Sequence, residues 1–238
     1  INHVADKIAR LYHDGHQLVI VLSAQGKTTN QLIQKAMELN DHPTQRELDM
    51  LLVTGEQQSV ALMSLALSSR GCESVSLNAF QAGIYSDGIF GSARITEIDS
   101  MRIEKELALN KIVIVTGFQA VNYEQEFTTL GRGGSDTSAV AIAKVIEADR
   151  CEIYSDVDGI YTADPRKVKH SRKLKEIDYD SMLELSSLGA KVLHNRAVEM
   201  AKKFGVKLYI LSSFENKEGT MVVSNPLEKT LISGVVVD

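Results

Sequence analysis

The chain has 238 residues, of which 44% are hydrophobic and 24% are charged, enough to bury the core of one large domain or of two lobes. Its net charge of −5, its 5% aromatic content and its lack of Trp argue against a nucleic-acid-binding face. No uninterrupted apolar run is longer than the five residues 18–22, whereas a membrane-spanning helix needs ~20. We therefore expect small-molecule ligands, no nucleic-acid partner and no membrane partner.

The first residues lack the basic, apolar and small-residue regions of a secretory signal. Cys72 and Cys151 are too few for a disulfide framework, so we expect a cytoplasmic protein. Val4, Ile8 and Leu11 recur at helical spacing from the very start of the chain. This pattern suggests that an element preceding the first helix is missing from the sequence.

Strand-like and helix-like patterns alternate along the chain. Helices are predicted from the start to residue 15, from 30 to about 39, from 44 to 69 with a break at Gly55, and over 100–109, 135–146 and 190–204. Strands are predicted over 18–22, 74–78, 112–116, 151–155, 207–212 and 231–237. This order predicts an α/β fold, a three-layer αβα sandwich with a mainly parallel central sheet. In such folds ligands bind where strands open into loops at their carboxyl ends.

Two partial motifs fail on inspection. The sequence Gly26-Lys27-Thr28 lacks the first glycine of a P-loop, because Val21 occupies that position. The loop from Gly131 has Asp136 where a dinucleotide fingerprint needs its last glycine. The six histidines show no paired ligand spacing, so no metal site is predicted from them.

The glycine-rich run 128–138 is the strongest candidate site. Its three glycines let backbone N–H groups approach an anion, Arg132 offers a bidentate fork, and a helix is predicted to begin at Ser135. The alternative is a plain strand-to-helix turn with Asp136 as a helix cap. Glycine, Arg, Ser and Asp together favour an anion-binding loop.

Three further positions are weaker candidates. Residues 155–166 leave a predicted strand with three aspartates, Tyr161 and Arg166, which could hold Mg²⁺ or a nucleotide, or form a solvated acidic turn. Glu56 lies at the predicted helix break and could pair with an ammonium group, or be an exposed helix-end carboxylate. Lys191 follows Gly189 near a helix start and could equally be a solvated lysine.

Taken together, these segments resemble aspartokinase, in the amino-acid kinase superfamily, over almost the whole chain. The family's motifs appear in order as residues 23–30 (SAQGKTTN), 46–49 (RELD), 54–56 (TGE), 128–137 (TTLGRGGSDT), 154–166 (YSDVDGIYTADPR) and 188–194 (LGAKVLH). The resemblance implies ATP-dependent and Mg²⁺-dependent phosphorylation of the side-chain carboxylate of L-aspartate, the first step toward lysine, threonine and methionine.

The resemblance also implies residue roles. Arg132 would grip a carboxylate of aspartate, Glu56 would pair with its α-ammonium group, and Asp136 would be the organising carboxylate beside the transferring phosphate. The hydroxyls that would orient aspartate are those of Ser23, Thr29 and Ser135. The residues implied for ATP are Ser155, Asp156, Tyr161, Arg166 and Lys191.

The resemblance further implies the domain organisation. Residues 1–224 would form the catalytic domain, with an amino-acid-binding part over about 1–145 and a nucleotide-binding part over about 146–224. The family's first strand, with its Lys-Phe-Gly-Gly motif, is missing here, and residues 225–238 would be a linker and the opening of a regulatory ACT domain. A homodimer is implied as well. The alternatives are an impaired fragment, a regulatory binder of aspartate or nucleotide, and a kinase for glutamate or acetylglutamate.

Overall fold

The computed structural model describes residues 1–163, 167–187 and 192–226. The contacts divide the chain into two units, Ile1–Ile146 and Glu147–Asp238. Each unit is built around its own β-structure, and each is described separately below.

Unit 1 contains five helices and seven strands. Its helices are α1 Asn2–His13, α2 Thr28–Leu39, α3 Gln45–Ser68, α4 Met101–Ala108 and α5 Gly134–Val145. Its strands are β1 Val19–Leu22, β2 Ser74–Leu77, β3 Ile84–Ser86, β4 Ile95–Ile98, β5 Ile112–Thr116, β6 Gln119–Val121 and β7 Phe127–Thr129. The strands form a three-stranded sheet in the order β1-β5-β2 and a four-stranded sheet in the order β4-β3-β6-β7.

The three-stranded sheet of unit 1 is parallel throughout, and helices cover both of its faces. All five residues of β5 are buried, which explains why this strand is apolar on both sides. Ile112 and Ile114 pack against α1 and α3, whereas Val113 and Val115 join a cluster that contains Ile103 of α4 and residues of α5. Alternate side chains therefore point into opposite layers, and the predicted αβα layering is confirmed in this unit.

Helix α3 runs unbroken through Gly55, so the predicted break there was wrong. A glycine inside a helix costs only about 0.5–1 kcal/mol relative to alanine, which tertiary packing can offset. Here Gly55 is buried on the face of α3 that packs against the chain after β1. By length and composition α3 could cross a membrane, but this same helix packs against β2, β5, β7 and α1 inside unit 1.

Unit 2 has a mixed sheet and two helices among the described residues. The strands are β8 Cys151–Ser155, β9 Glu176–Asp178, β10 Leu208–Ser212 and β11 Thr220–Val223, and the helices are α6 Tyr179–Ser187 and α7 Asn195–Phe204. The sheet order is β8-β10-β11-β9, with one antiparallel pair between β10 and β11. Helices α6 and α7 pack against each other, and α6 contacts β9 and β11.

Some predicted bounds differ from the observed ones. The last predicted helix began at residue 190, but the described residues 192–194 are not helical and α7 begins at Asn195. The helix predicted from residue 44 begins at Gln45, and Thr44 is its N-cap without a capping hydrogen bond to its side chain. The strand predicted over 231–237 lies outside the described residues.

Candidate functional site

The carboxyl ends of β1 and β5 meet at one edge of the parallel sheet in unit 1. Leu22 is paired with Thr116, and the next residue after β5, Gly117, donates its backbone N–H to the Leu22 carbonyl at 2.9 Å. Both strands then leave the sheet, and Ser23 begins the loop that follows β1. This edge is where parallel α/β sheets bind their ligands.

Ser23 and Ser135 are joined at this edge. The Ser23 hydroxyl donates to the Ser135 hydroxyl oxygen at 2.7 Å, which connects the loop after β1 to the first turn of α5. Gly117 makes the approach possible, since a Cβ atom there would lie 2.6 Å from Oγ and 2.7 Å from Cβ of Ser135. The sequence thus places a glycine where the end of β5 passes the start of α5.

Glu56 is the buried carboxylate of this edge. It lies on α3 with 3% of its surface exposed, and its Oε1 accepts a hydrogen bond of 3.0 Å from the backbone N–H of Ala24. Among the described residues, nothing donates to its other oxygen, Oε2. Burial raises the pKa of Glu56 to about 7, although backbone hydrogen bonds act in the opposite direction.

Gly55 lets the loop after β1 approach α3 closely. A Cβ atom at Gly55 would lie 2.9 Å from the Cβ of Ala24. The backbone of residue 24 can therefore approach the helix at the residue before Glu56, which suits the hydrogen bond to the carboxylate. The glycine that the sequence pattern marks as a break is instead a contact point.

Arg132 lies in a loop whose backbone depends on glycine. Gly131 and Gly133 have φ values of +75° and +69°, which side-chain-bearing residues adopt only with strain. Arg132 itself is exposed, and Asp136 is partly buried in the first turn of α5. Helix α5 begins at Gly134, two residues after this arginine, and its N-terminus favours a nearby negative charge.

The residues predicted to bind aspartate lie on the loop after β1, on α2 and α3, and around the start of α5. Ser23 contacts Ser135, its neighbour Ala24 contacts Glu56, and Arg132 and Asp136 flank the start of α5. Thr29 is partly buried in the first turn of α2, the helix that follows the loop after β1.

The residues predicted for ATP begin at the carboxyl end of β8 in unit 2. Ser155 ends that strand, and its hydroxyl oxygen accepts from the backbone N–H of Val157 at 3.1 Å. Its carbonyl accepts from the N–H of Ser213, which follows the neighbouring strand β10. Asp156 is exposed in the loop. The turn after β8 is therefore fixed by its own serine, and the carboxylate faces solvent.

Tyr161 is held by Asp158. The tyrosine hydroxyl donates to Asp158 Oδ1 at 3.0 Å, and Lys173 Nζ lies 3.0 Å from Asp158 Oδ2. Burial raises the pKa of Asp158, but the hydrogen bonds and the positive charge of Lys173 outweigh it, so the pKa is lowered overall. Lys173 also donates to the carbonyls of Asp158 and Glu218. One ammonium group thus ties the loop after β8 to the segment before β11.

Arg166 and Lys191, also predicted for ATP, lie outside the described residues. Within residues 1–163, 167–187 and 192–226, no three His, Cys, Asp or Glu side chains are grouped to hold a metal ion.

Sequence reasoning missed two ionisable residues beside these sites, Asp49 and Lys173. Asp49 is 1% exposed on α3, and it accepts hydrogen bonds from Gly91 and Thr129. It belongs to the RELD motif, so the motif was noticed but its aspartate received no role. Lys173 lies in a run of basic residues, where nothing distinguishes one lysine from its neighbours.

The model of the amino acid kinase family matches residues 1–212. An aspartokinase of Geobacillus stearothermophilus is 53% identical over 93% of this chain and 54% of its own length. The chain spans about half the length of the curated relatives it matches.

Two solved structures are similar. The crystal structure of aspartate kinase from Synechocystis matches with a TM-score of 0.84 and 47% identity over 96% of this chain and 38% of that one. E. coli aspartokinase III, solved in complex with aspartate and ADP, matches with a TM-score of 0.72 and 25% identity over 93% of this chain and 52% of that one.

Proposed function

The chain belongs to the amino acid kinase family, and from that premise we propose that it phosphorylates the side-chain carboxylate of L-aspartate with ATP, giving 4-phospho-L-aspartate. Relatives named aspartokinase, about half identical to the chain over most of its length, support this choice. The observation that carries it is Glu56, a buried carboxylate that binds the residue after Ser23 and has one oxygen without a partner among the described residues. In the host organism this reaction would be the first step toward lysine, threonine and methionine.

We propose that unit 1 holds the acceptor. A buried carboxylate is costly without a partner, and an α-ammonium group at Oε2 of Glu56 would supply one. Arg132 presents a guanidinium that can bind a carboxylate through two parallel hydrogen bonds. Ser23, Thr29 and Ser135 supply the hydroxyls that would orient the rest of the aspartate molecule.

The chemistry fits a site without a general base. The side-chain carboxylate of aspartate is ionised at neutral pH, so it is already a nucleophile and needs only to be positioned in line with the γ-phosphoryl group. The N-terminus of α5 and Arg132 would offset the negative charge that develops there. Asp136, in the first turn of α5, would organise the groups around the transferring phosphate.

We propose that unit 2 holds the nucleotide, through Ser155, Asp156, Tyr161, Arg166 and Lys191. Because the Tyr161 hydroxyl donates to Asp158, its ring and one acceptor position are left for ATP. Bound Mg²⁺ would shield the phosphate charges, and phosphate oxygens with one or two carboxylates are its usual ligands. Asp156, exposed in the loop after β8, is a carboxylate of unit 2 that could contribute to holding it.

A homodimer, implied by the family resemblance, and a cytoplasmic location, expected from the small number of cysteines, stay predictions. The assignment of amino-acid binding to residues 1–145 and of nucleotide binding to residues 146–224 also stays a prediction.

The test is hydroxamate formation, which traps an acyl phosphate, from ATP, Mg²⁺ and L-aspartate with the purified 238-residue chain. Parallel reactions contain L-glutamate, N-acetyl-L-glutamate, or no ATP. We expect hydroxamate in the reaction with L-aspartate and ATP, and none in the three parallel reactions. A signal with either of the other acids would identify a different carboxylate kinase. If no acid gives a signal, the same assay on the chain extended by the strand that the family places before α1 separates an impaired fragment from a non-catalytic binder.

A further inference from the structure

We propose that Asp49 is a positioning residue, which sets the place of the Arg132 loop relative to Glu56. The proposal rests on the function proposed above, in which Arg132 and Glu56 bind opposite ends of the same amino acid. Asp49 touches neither the proposed substrate nor the reacting atoms. Its role follows from what its carboxylate holds.

The Asp49 carboxylate accepts hydrogen bonds from strand β7 and from the loop between β3 and β4. Its Oδ1 accepts from the Thr129 hydroxyl at 2.8 Å, and its Oδ2 accepts from the backbone N–H groups of Thr129 and Gly91, each at 2.8 Å. The side chain is buried. Three donors on one buried carboxylate form a strong and directional anchor, because charge-assisted hydrogen bonds are about twice as strong as neutral ones.

Both of these partners support the Arg132 loop. Thr129 is the last residue of β7, three positions before Arg132. The carbonyl of Gly91 lies beside Gly131, since a Cβ atom there would be 3.4 Å from it. The Thr129 carbonyl in turn accepts from the N–H of Ala93. Asp49 therefore fixes both the strand that leads into the loop and the segment packed along it.

Glu56, relative to which Asp49 positions the Arg132 loop, lies on the same helix as Asp49. Asp49 and Glu56 are seven residues apart, close to two helical turns, so both project from one face of α3 with an axial separation of about 10 Å. Between them, the Val53 carbonyl accepts from the Gln119 side chain of β6 at 3.1 Å. One face of α3 thus grips the end of β7, the start of β6 and the chain after β1.

A rigid helix with these contacts sets a distance between two ligand-binding groups. Glu56 cannot move along α3 relative to Asp49, and the backbone of the Arg132 loop is held by Asp49. An α-amino acid with a carboxylate side chain presents its ammonium and carboxylate groups at a fixed range of separations. By holding the Arg132 loop, Asp49 is thus suited to match the distance between Glu56 and Arg132 to the separation of these two groups in the amino acid.

The test compares Asp49→Ala with Asp49→Asn. Alanine leaves the two N–H groups and the Thr129 hydroxyl without their acceptor. Asparagine can keep its oxygen on both N–H groups and donate to the Thr129 hydroxyl oxygen, so it should restore most of what alanine loses. Glu106→Ala is the control, because Glu106 is a buried carboxylate of the same unit that pairs with Arg102 and Lys111 and contacts none of the site residues.

Two readouts separate positioning from loss of stability. We expect Asp49→Ala to raise the KM for aspartate by at least about tenfold while the KM for ATP stays constant. Amide hydrogen exchange over residues 127–134, and tryptic cleavage after the exposed Arg132, should quicken in Asp49→Ala and not in the Glu106 control. A variant that only lowers the folded fraction would reduce the apparent kcat and leave both KM values unchanged.

The proposal is overturned if Asp49→Ala leaves the aspartate KM and the exchange of residues 127–134 unchanged, or if Asp49→Asn recovers nothing. Should Asp49→Ala fail to fold, Thr129→Val removes one of the three donors, and an unchanged KM and exchange in that variant would overturn the proposal as well. Failure of the wild-type chain to use aspartate, both as it stands and extended by the strand that the family places before α1, refutes the proposed function. The exchange comparison then still decides whether Asp49 holds the loop.

Discussion

The carboxylate of Glu56 accepts a hydrogen bond of 3.0 Å from the backbone N–H of Ala24, across the gap between α3 and the loop after β1. A single neutral donor only partly offsets the cost of burying a charge. The pKa of Glu56 is accordingly raised to about 7 by burial. Half of these carboxyl groups are therefore protonated near neutral pH in the free protein.

The first prediction concerns the pH dependence of aspartate binding. Only the ionised Glu56 can pair with the α-ammonium group, so the KM for aspartate should fall roughly tenfold between about pH 6 and about pH 8, as expected for a group with a pKa near 7. Initial rates at varied aspartate across that range measure it. Glu56→Gln should raise the KM and remove the pH dependence.

Glu47→Gln provides the matched control for this experiment, because Glu47 is an exposed carboxylate on the same helix. Its pH profile should equal that of the wild type.

The stability of the ligand-free protein should change with pH in the opposite sense to aspartate binding. A carboxyl group with a raised pKa stabilises the fold below its unfolded pKa, and this contribution is lost as the pH rises through about 7. A wild-type melting temperature with no such decline relative to Glu56→Gln would contradict the assignment.

The second prediction concerns the close approach of Gly117 to Ser135. Gly117→Ala should destabilise unit 1 by about 1–3 kcal/mol and raise the aspartate KM, since the new methyl group would displace Ser135 and the start of α5. Thermal melting and initial rates measure the two effects. Gly71→Asn is the control: Gly71 has a φ of +70° and open space around it, and Asn tolerates that conformation. Equal effects of both substitutions would rule out the crowding argument.

The third prediction separates binding from turnover in the glycine loop. Arg132→Ala should raise the KM for aspartate roughly 10–100-fold, the value of a lost charge-assisted hydrogen bond or two, with a smaller change in kcat. Arg132→Lys keeps the positive charge but cannot form two parallel hydrogen bonds, so its KM for aspartate should lie between those of the wild type and of Arg132→Ala. Asp136→Ala should mainly lower kcat. If Arg132→Ala and Asp136→Ala both leave the kinetics unchanged, the site has been assigned to the wrong loop.

The fourth prediction concerns Lys173 in unit 2. Lys173→Met removes the ammonium group that holds Asp158 and Glu218, so the loop carrying Ser155, Asp156 and Tyr161 should loosen. We expect a KM for ATP raised several-fold, with the KM for aspartate unchanged. Lys202→Met is the matched control, because Lys202 pairs with Asp180 at an exposed position of the same unit. An unchanged ATP KM in Lys173→Met would show that the loop needs no such tie.

The sequence predicted well those strands that are apolar on both faces. Residues 112–116 are a continuous apolar run because β5 is buried between two helical layers, and the observed strand has the predicted bounds. The short strands β3, β6 and β7 were missed. Each has three residues, too few for a periodic signal, and the pairing of β3 with β6 joins Tyr85 to Val121, far away in the chain.

The candidate site shows the same contrast. Glycines and charges near Arg132 form a local pattern that can be recognised from spacing alone. The burial of Glu56 depends on a loop 32 residues earlier in the chain, and the partners of Asp49 lie 42 and 80 residues later. Such partners cannot be assigned from one sequence. Gly55 was misinterpreted for the same reason, because its neighbour Ala24 comes from another element.

The strand order β1-β5-β2 has a consequence for synthesis of the chain on the ribosome. Val19 and Val75 both pair with Val113, so the central strand is the last of the three to be made. At the usual rates of translation β1 waits on the order of ten seconds for its neighbour. During that time β1 and β2 have no strand between them, and exposed apolar strands invite pairing with other chains. The nascent chain therefore keeps the edges of both strands open until residue 116 has emerged.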